Sequence, residues 1–349
     1  MKLSAQPENL LEALALRSGM VPTPLGDTHV AFMLARTIMV ATKVGLFEAL
    51  AQQPTTARQV AQQCQTSPVA TAKMLNTLVH LGYIQRVNLH YDLTNLARKW
   101  LLQGSDQSVY DKMLFQFTEW EMVTGYEDYV RSGKPFRMHE TFDASQWITY
   151  QRGMRAMAGT TVWEVARRTP VPRRAKDMLD IGGAHGYYSV ALCRRHAGLR
   201  SVILDLPEAI DEAQHILAKE QMGGRVVHQP GNVLTDDLGE AQWDIIFMAS
   251  LIHHFDEETN RSLIQRIARA LRPGGALVIQ EFMRDRYPHA GDHLGALLDL
   301  FFAATSESGT WSVEEITDWQ RAAGLTSQRP IWLRSVPRHA QQVGWKKRR

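Results

Sequence analysis

The sequence predicts an α/β fold for the C-terminal half, with a mostly parallel sheet covered by helices, and a mostly helical N-terminal half. From about residue 176, short apolar runs such as "MLDI", "SVILDL" and "DIIFMAS" alternate with amphipathic stretches such as "PEAIDEAQHILAKE". Nearly continuous apolar runs are typical of strands buried on both faces, as in a parallel sheet between helices. The segment "RPGG" is expected to close one helix before the next strand. At 349 residues, the chain has room for two domains.

The N-terminal half contains the pattern of a helix-turn-helix followed by a small hairpin. Apolar residues recur at helical spacing on both sides of "TSP", Pro68 stands at a helix start, and "YIQRVNLHYDLT" roughly alternates around a turn at Asn88. A helix that reads DNA needs several basic or amide side chains, whereas this one offers mainly Lys73, Asn76 and His80. Packing against a second copy of the chain is therefore the favoured interpretation, and a winged-helix regulator is the alternative.

Composition and charge exclude several classes of protein. The 39 Lys and Arg residues nearly balance 36 Asp and Glu residues, so a strong nucleic-acid binder is not predicted. Cys64 and Cys193 lie far apart with no metal-ligand spacing, which predicts neither a disulfide framework nor a zinc site. Glu8 and Glu12 interrupt any signal-peptide core, and no run approaches the ~20 apolar residues that span a bilayer. We expect a cytoplasmic protein that binds neither nucleic acid, membrane nor metal.

The segment "MLDIGGAHGYYS" has the composition of a ligand-binding turn between the first strand and the first helix of the sheet. Glycines fall at 182, 183 and 186, but Tyr187 stands where a dinucleotide fingerprint needs a small residue. Asp205 closes the second strand in "VILDLP", where a carboxylate can accept both hydroxyls of a ribose. The glycine loop and this acidic strand end together indicate a nucleoside-containing cofactor.

The segments "LDIGGAHGYYS", "VILDLPEAI", "PGNVL", "SLIHHFDEE", "LRPGG" and "VIQEF" together resemble the motifs of S-adenosylmethionine-dependent methyltransferases. More narrowly, the chain resembles small-molecule O-methyltransferases whose N-terminal winged-helix-like domain dimerises. The resemblance implies a Rossmann-like class I domain with a mostly parallel, seven-stranded sheet. It also implies a homodimer and the product S-adenosylhomocysteine. The expected divisions are a dimerisation domain at 1–105, a helical linker and substrate lid at 106–170, and a catalytic domain at 171–349.

The same resemblance implies which residues bind the cofactor. The glycines would face its methionine part, Asp205 the ribose hydroxyls, and Asn232 the adenine amino group. Ala184, between the glycines, replaces a frequent glycine of the family and has no explanation in the sequence. The full expected set is Asp180, Gly182, Gly183, Gly186, Asp205, Leu206, Asn232, Val233 and Ser250.

The segment "HHF" is the candidate catalytic stretch. A histidine, with a pKa ordinarily near ~6.5, is suited to take a proton from an acceptor hydroxyl near neutral pH. Aligned to the family's His-Asp-Trp stretch, the segment places the base at His253 and His254 at the Asp position. The supporting Glu of the family falls on Glu281. The second supporting Glu is missing: Thr310 stands at its site, so either Glu307 substitutes or one support suffices.

An acceptor pocket is expected to be apolar and aromatic. Its candidate residues are Trp120, Tyr126, Trp147, Met154, Met157, His254, Phe301 and Phe302. The sequence therefore predicts an O-methyltransferase that acts on a hydroxyl of a small aromatic or polyketide-like metabolite. Methylation at carbon or nitrogen, or binding of the cofactor without methyl transfer, is the alternative within the same fold.

Overall fold

A computed structural model describes residues 6–289 and 292–348. Residues 1–5, 290, 291 and 349 lie outside the described residues. Among them are the first residue of the expected dimerisation domain and the last residue of the expected catalytic domain. The chain forms two compact units that divide between Phe117 and Thr118. The finer three-part division expected from the sequence stays a prediction.

The N-terminal unit is mostly helical and carries a small antiparallel sheet. Its strands are β1 Thr55–Thr56, β2 Ile84–Val87 and β3 His90–Leu93, in the order β1-β3-β2. Its helices are α1 Leu10–Ser18, α2 Thr23–Leu25, a π-helix Gly26–Val30, α3 Ala31–Lys43, α4 Leu46–Ala49, α5 Ala57–Gln63, α6 Pro68–His80 and α7 Asn95–Trp100. Helix α8 Tyr110–Thr124 spans the division between the units.

The helix-turn-helix and hairpin of this unit are confirmed. Pro68 opens α6 behind an N-cap formed by Ser67, and Asn88 has the positive φ of 56° that the β2–β3 turn requires. Asn76, a candidate for reading DNA bases, instead accepts a hydrogen bond at Oδ1 from the hydroxyl of Tyr91 at 2.8 Å. This side chain therefore contributes to the packing of α6 against the hairpin.

The C-terminal unit alternates helices and strands around one large sheet. Its strands are β4 Asp177–Ile181, β5 Arg200–Asp205, β6 Val226–Pro230, β7 Trp243–Ala249, β8 Leu271–Phe282, β9 Thr326–Ser327, β10 Ile331–Trp332 and β11 His339–Trp345. Its helices are α9 Tyr126–Ser132, α10 Met138–Thr141, α11 Ala144–Gly159, α12 Val162–Arg168, α13 Tyr187–Arg195, α14 Pro207–Ala218, α15 Glu257–Ala270, α16 His293–Thr305 and α17 Val313–Ala322, with 3₁₀ turns at Gly223–Arg225 and Ile252–His254.

The large sheet has the order β10-β11-β8-β7-β4-β5-β6. The five strands from β8 to β6 are parallel, and β11 is antiparallel to β8. This path contains seven strands, as expected, and the two-residue β9 pairs with β11 off the path. The order reverses at β4, since β5 pairs on one side of it and β7 on the other. Ligands of open α/β sheets bind beyond the carboxyl ends of the strands at such a reversal.

Both faces of the sheet are buried, which explains the continuous apolar runs of its strands. In β7, Ile246 packs into the core on the face with α15 and α17, while Ile245 and Phe247 pack into the core on the opposite face. Successive side chains of a strand point to opposite faces. Within the described ranges, no helix is long and apolar enough to cross a membrane.

The segment "RPGG" differs from its expected place. Helix α15 ends at Ala270 and β8 begins at the next residue, so the four residues from Arg272 to Gly275 belong to the strand. The register of β8 against β7 jumps from Leu271 to Ala276 across them. Gly274, with a φ of 81°, gives the backbone the left-handed conformation needed within this irregular stretch.

A buried histidine of β11 predicts an acid-dependent loss of stability. His339 is buried and stacks on Phe282 with ring centroids 4.6 Å apart. Burial lowers its pKa to about 4, against the opposing effect of Glu281 and Glu164. Because the folded state binds a proton at His339 less readily than the unfolded state does, the full stability is present above pH 6.5. It is lost progressively as the pH falls from 6.5 toward 4.

We therefore expect His339→Phe to remove part of this pH dependence. Between pH 7 and pH 4, the free energy of unfolding of the wild type should fall by about 3 kcal/mol more than that of the variant. Urea unfolding at a series of pH values measures the difference. His215→Phe, at an exposed position of α14, is the control. Parallel curves for the wild type and His339→Phe would contradict the prediction.

Candidate active site

The turn between β4 and α13 is built by residues that leave no room for side chains. Gly182 and Gly186 have φ values of 66° and 70°, a region that L-residues rarely adopt. A Cβ atom at Gly182, Gly183 or Gly186 would approach within 3 Å of, respectively, Leu251, Asp180 or Ile203. The glycines are thus needed for the turn itself, and any contact with a cofactor would come from their backbone groups.

The backbone of Ala184 connects this turn to β5 and β6 through two hydrogen bonds. Its φ is 44°, its N–H donates to Asp205 Oδ2 at 2.8 Å, and its carbonyl accepts a hydrogen bond from His228 Nε2 at 2.7 Å. The backbone of Ala184 therefore orients the carboxylate expected at the ribose. His228, on β6, was missed by the sequence analysis because its partner is a backbone atom far along the chain.

Asp180 lies beneath the turn, in β4, and is only 1% exposed. Its Oδ2 accepts a hydrogen bond from Ser189 Oγ at 2.6 Å. Burial raises the pKa of Asp180 to about 7. The hydrogen bond from Ser189 acts in the opposite direction, and the nearby charge of Asp205 raises the pKa by a smaller amount. The carboxyl group supports the turn from below, and its predicted contact with the cofactor stays a prediction.

Gly183→Ala is expected to destabilise this arrangement. The added Cβ would lie 2.5 Å from the carboxyl carbon of the buried Asp180, so either the turn or the carboxyl group must move. Such overpacking costs about 1–3 kcal/mol of the free energy of unfolding. Chemical denaturation measures the loss, and Gly198→Ala is the control because nothing lies within 4 Å of its Cβ position. Equal stability of the two variants would disprove this account of the turn.

Asp205 ends β5 beside the turn and is partly buried. Its Oδ1 accepts from the N–H of Leu206 and its Oδ2 from that of Ala184, both at 2.8 Å. Burial raises its pKa to about 6, although these two hydrogen bonds act in the opposite direction. Each oxygen keeps one further acceptor position, which fits two neighbouring hydroxyls of a nucleoside. Leu206 itself is exposed.

The other expected cofactor residues lie after β6 and β7. Asn232 Oδ1 already accepts from the N–H of Leu234 at 2.9 Å, so one acceptor position remains for an adenine amino group. The side chain of Val233 is buried in the core, which leaves only its backbone for a ligand. Ser250, exposed directly after β7, has a φ of 53°. The roles of these three residues stay predictions.

His253 and Glu281 meet above the carboxyl ends of β7 and β8. The distance from His253 Nδ1 to Glu281 Oε2 is 2.9 Å, and both side chains are buried. The 3₁₀ turn that carries the histidine is fixed at the carbonyl of Ile252, which accepts hydrogen bonds from Trp311 Nε1 and Asn260 Nδ2. The imidazole is therefore held at Nδ1 by a carboxylate. The turn that carries it is held by the two side chains that donate to the Ile252 carbonyl.

Neither of the other two residues considered as a second support reaches His253. Glu307 is exposed and accepts a hydrogen bond from Arg137 Nη2 at 3.2 Å. Thr310 is buried, and its hydroxyl donates to Asp299 Oδ1 at 2.8 Å. Among the described residues, Glu281 is the only carboxylate within 4 Å of the His253 ring nitrogens. The geometry favours a single support.

Five aromatic rings form a row along the site. Neighbouring ring centroids are separated by 3.8, 4.2, 4.7 and 5.4 Å in the order Phe302, His253, His254, His139 and Trp147. His139, on α10, was not predicted from the sequence. Burial, followed by the neighbouring His253, lowers its pKa to about 4, so the ring is neutral near pH 7.

The remaining candidates for the acceptor pocket are less closely connected with His253. Phe301 contacts Phe302 with ring centroids 5.5 Å apart. The other four candidates are partly buried and lie on α8, α9 and α11: Trp120, Tyr126, Met154 and Met157. Their contact with an acceptor stays a prediction. Over the described parts of the chain, no group of three or more His, Cys, Asp or Glu side chains is placed to hold a metal ion.

Two family models match this chain. The one described as the O-methyltransferase domain matches residues 111–326, which is more than half of the chain. The one described as the O-methyltransferase dimerisation domain matches residues 27–103. The two matches follow the order expected from the sequence, with the dimerisation domain first.

Individual relatives are distant but cover most of the chain. The chain is 25% identical over 320 residues to 3-hydroxy-5-methyl-1-naphthoate 3-O-methyltransferase of Streptomyces sahachiroi, covering 89% of this chain and 91% of the relative. It is 25% identical over 269 residues to N,N-dimethyltransferase OxyT of Streptomyces rimosus, covering 73% and 76%. Human N-acetylserotonin methyltransferase, solved in complex with SAM, shares the fold with a TM-score of 0.82 at 19% identity, over 99% of this chain and 100% of that one.

Proposed function

From the premise that this chain belongs to the O-methyltransferase family, we propose that it methylates a hydroxyl group of a small aromatic or polyketide-like metabolite. It is an S-adenosylmethionine-dependent methyltransferase. The donor, when bound, supplies a methyl group on a positively charged sulfur. The work of the protein is then to hold donor and acceptor in line and to accept the proton of the acceptor hydroxyl.

The cofactor half of the site consists of the β4–α13 turn and the ends of β5, β6 and β7. We assign the ribose hydroxyls to the two free acceptor positions of Asp205, which Ala184 and Leu206 orient through their backbone N–H groups. Asn232 and Ser250 are assigned to the same ligand because each places a polar side chain after a neighbouring strand. The product of transfer is S-adenosylhomocysteine.

The single observation that supports the proposed chemistry best is the pair formed by His253 and Glu281. A carboxylate only accepts hydrogen bonds, so His253 Nδ1 carries the hydrogen that it donates to Glu281 Oε2 at 2.9 Å. In the neutral form of imidazole, the tautomer with hydrogen on Nδ1 has its lone pair on Nε2. This atom makes no hydrogen bond within the described residues, so it is free to take the proton of an acceptor hydroxyl.

The row of rings beside His253 supports the proposed class of acceptor. Flat aromatic side chains present a surface to which a planar ring can bind by stacking. The relative from Streptomyces sahachiroi is named for a naphthoate substrate, which agrees with an acceptor of this shape. Incubation with S-adenosylmethionine and a panel of hydroxylated arenes, followed by mass spectrometry for a gained methyl group, tests the proposal. Lack of a methylated product with every hydroxyarene would reject it.

N-methylation is the second candidate, because one relative is named as an N,N-dimethyltransferase. The two reactions differ in the atom that carries the new methyl group. Carbon chemical shifts of a ¹³C-labelled methyl group distinguish oxygen from nitrogen or carbon as the acceptor atom. A panel that includes hydroxyarenes and aromatic amines of the same ring size therefore separates the candidates in one experiment.

We further propose that the chain forms a homodimer through its N-terminal unit, where the dimerisation domain matches. Large apolar side chains are exposed there along α1, the π-helix and α3. They include Leu10, Leu11, Leu14, Val30, Phe32 and Met33. Such a stripe is unfavourable in water unless another surface covers it. Light scattering at several concentrations measures the molar mass, and a purely monomeric species would contradict the proposal.

A further inference from the structure

His254 lies beside the proposed base, and its side chain forms a hydrogen bond with a buried serine. Its Nδ1 lies 2.8 Å from Ser306 Oγ, at the end of α16. The rings of His253 and His254 are neighbours, with centroids 4.2 Å apart. Each of the two imidazoles is thus fixed on its Nδ1 side, one by Glu281 and the other by Ser306.

The Nε2 atoms of both rings are free to meet a ligand. Neither makes a hydrogen bond within the described residues, and neither is among the buried side-chain atoms that lack a partner. His139 differs, because its Nε2 is buried without a partner. Each of the two adjacent rings therefore keeps one hydrogen-bonding position at Nε2 that no described residue occupies.

The two positions have opposite hydrogen-bonding character. Glu281 makes Nε2 of His253 an acceptor, as described above. The Ser306–His254 hydrogen bond can run in either direction; we infer that the Ser306 hydroxyl donates to Nδ1 of His254, because the hydroxyl has no other acceptor among the described residues. Burial, followed by the neighbouring His253 and His139, holds the pKa of His254 well below its usual value. A neutral ring that accepts at Nδ1 carries its hydrogen on Nε2, which is therefore a donor.

We propose that His254 is a specificity-determining residue that selects acceptors with a second oxygen on the ring carbon next to the methylated hydroxyl. The hydroxyl donates to His253 Nε2, and the neighbouring oxygen accepts from His254 Nε2. A planar ring is favoured because Phe302, which stacks on His253 at 3.8 Å, and His139, 4.7 Å from His254, continue the same row. This inference rests on the proposed O-methyltransferase function and adds a substrate class to it.

Two isomeric diols test the inference, because they differ only in the position of the second oxygen. In 2,3-dihydroxynaphthalene the hydroxyls are adjacent, and in 2,7-dihydroxynaphthalene they are remote. We expect the wild type to methylate the adjacent isomer with a kcat/KM about 10- to 100-fold higher, the range of one well-placed hydrogen bond. In His254→Phe this preference should fall to less than threefold, chiefly through the adjacent isomer.

Two further variants separate binding from a structural effect. His254→Asn keeps an N–H donor, so it should restore a preference of at least threefold for the adjacent isomer. Ser306→Ala keeps the imidazole but removes the partner that orients it, so it should reduce this preference without abolishing turnover. Thermal melting and cofactor titration confirm that each variant folds. Ser306→Ala also provides the test if His254→Phe does not fold.

The outcomes distinguish the inference from the function on which it rests. Equal kcat/KM for the two isomers in the wild type, or a parallel loss for both isomers in the variants, overturns the role of His254 and leaves the proposed function intact. Absence of methyl transfer to these diols and to every other hydroxyarene of the panel overturns the proposed function, and the inference with it.

Discussion

Replacing His253 with alanine is expected to lower kcat by about 10²–10⁴-fold, the usual contribution of a positioned general base. We assign this residue to the acceptor half of the site, whereas the residues assigned to the cofactor lie on the turn after β4 and at the ends of β5, β6 and β7. The dissociation constant for S-adenosylmethionine should therefore stay within a few-fold of the wild-type value. Single-turnover kinetics and calorimetric titration measure the two quantities separately.

Glu281→Gln separates the charge of the support from its position. The glutamine can still accept from His253 Nδ1, but it no longer stabilises the imidazolium formed when the proton moves. A smaller loss of kcat than in His253→Ala, about 10- to 100-fold, is expected. His215→Ala, at an exposed position, is the control for loss of an imidazole. Wild-type turnover in His253→Ala with an accepted substrate would show that the reaction proceeds by alignment alone.

Asp205→Ala is expected to weaken binding of S-adenosylmethionine by about 100-fold. The substitution removes the carboxylate that we assign to both ribose hydroxyls and leaves the N–H groups of Ala184 and Leu206 without their partner. Loss of hydrogen bonds to a charged group amounts to about 3 kcal/mol, which corresponds to two orders of magnitude in the dissociation constant. Calorimetric titration of the variant measures the change directly.

The same carboxyl group predicts how cofactor binding depends on pH. Because burial raises the pKa of Asp205 to about 6, the group gains a proton as the pH falls through that value and loses an acceptor position. Affinity should fall by about tenfold between pH 8 and pH 5. Asp180, whose burial raises its pKa to about 7, titrates in the same range. Asp205→Asn isolates the contribution: a pH dependence as steep in this variant as in the wild type would assign the effect elsewhere.

The sequence predicted the architecture well because its signals are local. Strands β4, β5 and β7 are short apolar runs, and Ser67 with Pro68 marks the start of α6 through rules that need no tertiary information. Strand β11 is buried but contains Gln341 and Gln342, so its sequence carries no such signal. The pairing of His253 with Glu281 was implied by family resemblance, and the distance of 2.9 Å agrees with it. The strand ends that carry the two residues pair directly in the parallel sheet, where β7 and β8 are neighbours.

Other parts of the site depend on contacts that no sequence pattern encodes. His139 reaches the row of rings only because α10 packs beside the turn that carries His254. Ser306 follows the last residue of α16, and nothing in the neighbouring sequence indicates a histidine partner. Glu307 was a plausible support by position, but its carboxylate pairs with Arg137 instead. In each case the partner lies far along the chain, so spacing carries no information about it.

The reversal of strand order at β4 has a consequence for how this enzyme can diversify. The residues that we assign to the methyl donor lie at or after the ends of β4, β5, β6 and β7, whereas His139 and Phe302, which we assign to the acceptor, lie on α10 and α16. Helices α10 and α16 carry none of the residues assigned to the donor, so substitutions in these two helices need not disturb it. Exchange of residues 138–141 and 293–306 between relatives is a route to new acceptors, since the residues assigned to the methyl donor stay unchanged while the chemistry is redirected to another molecule.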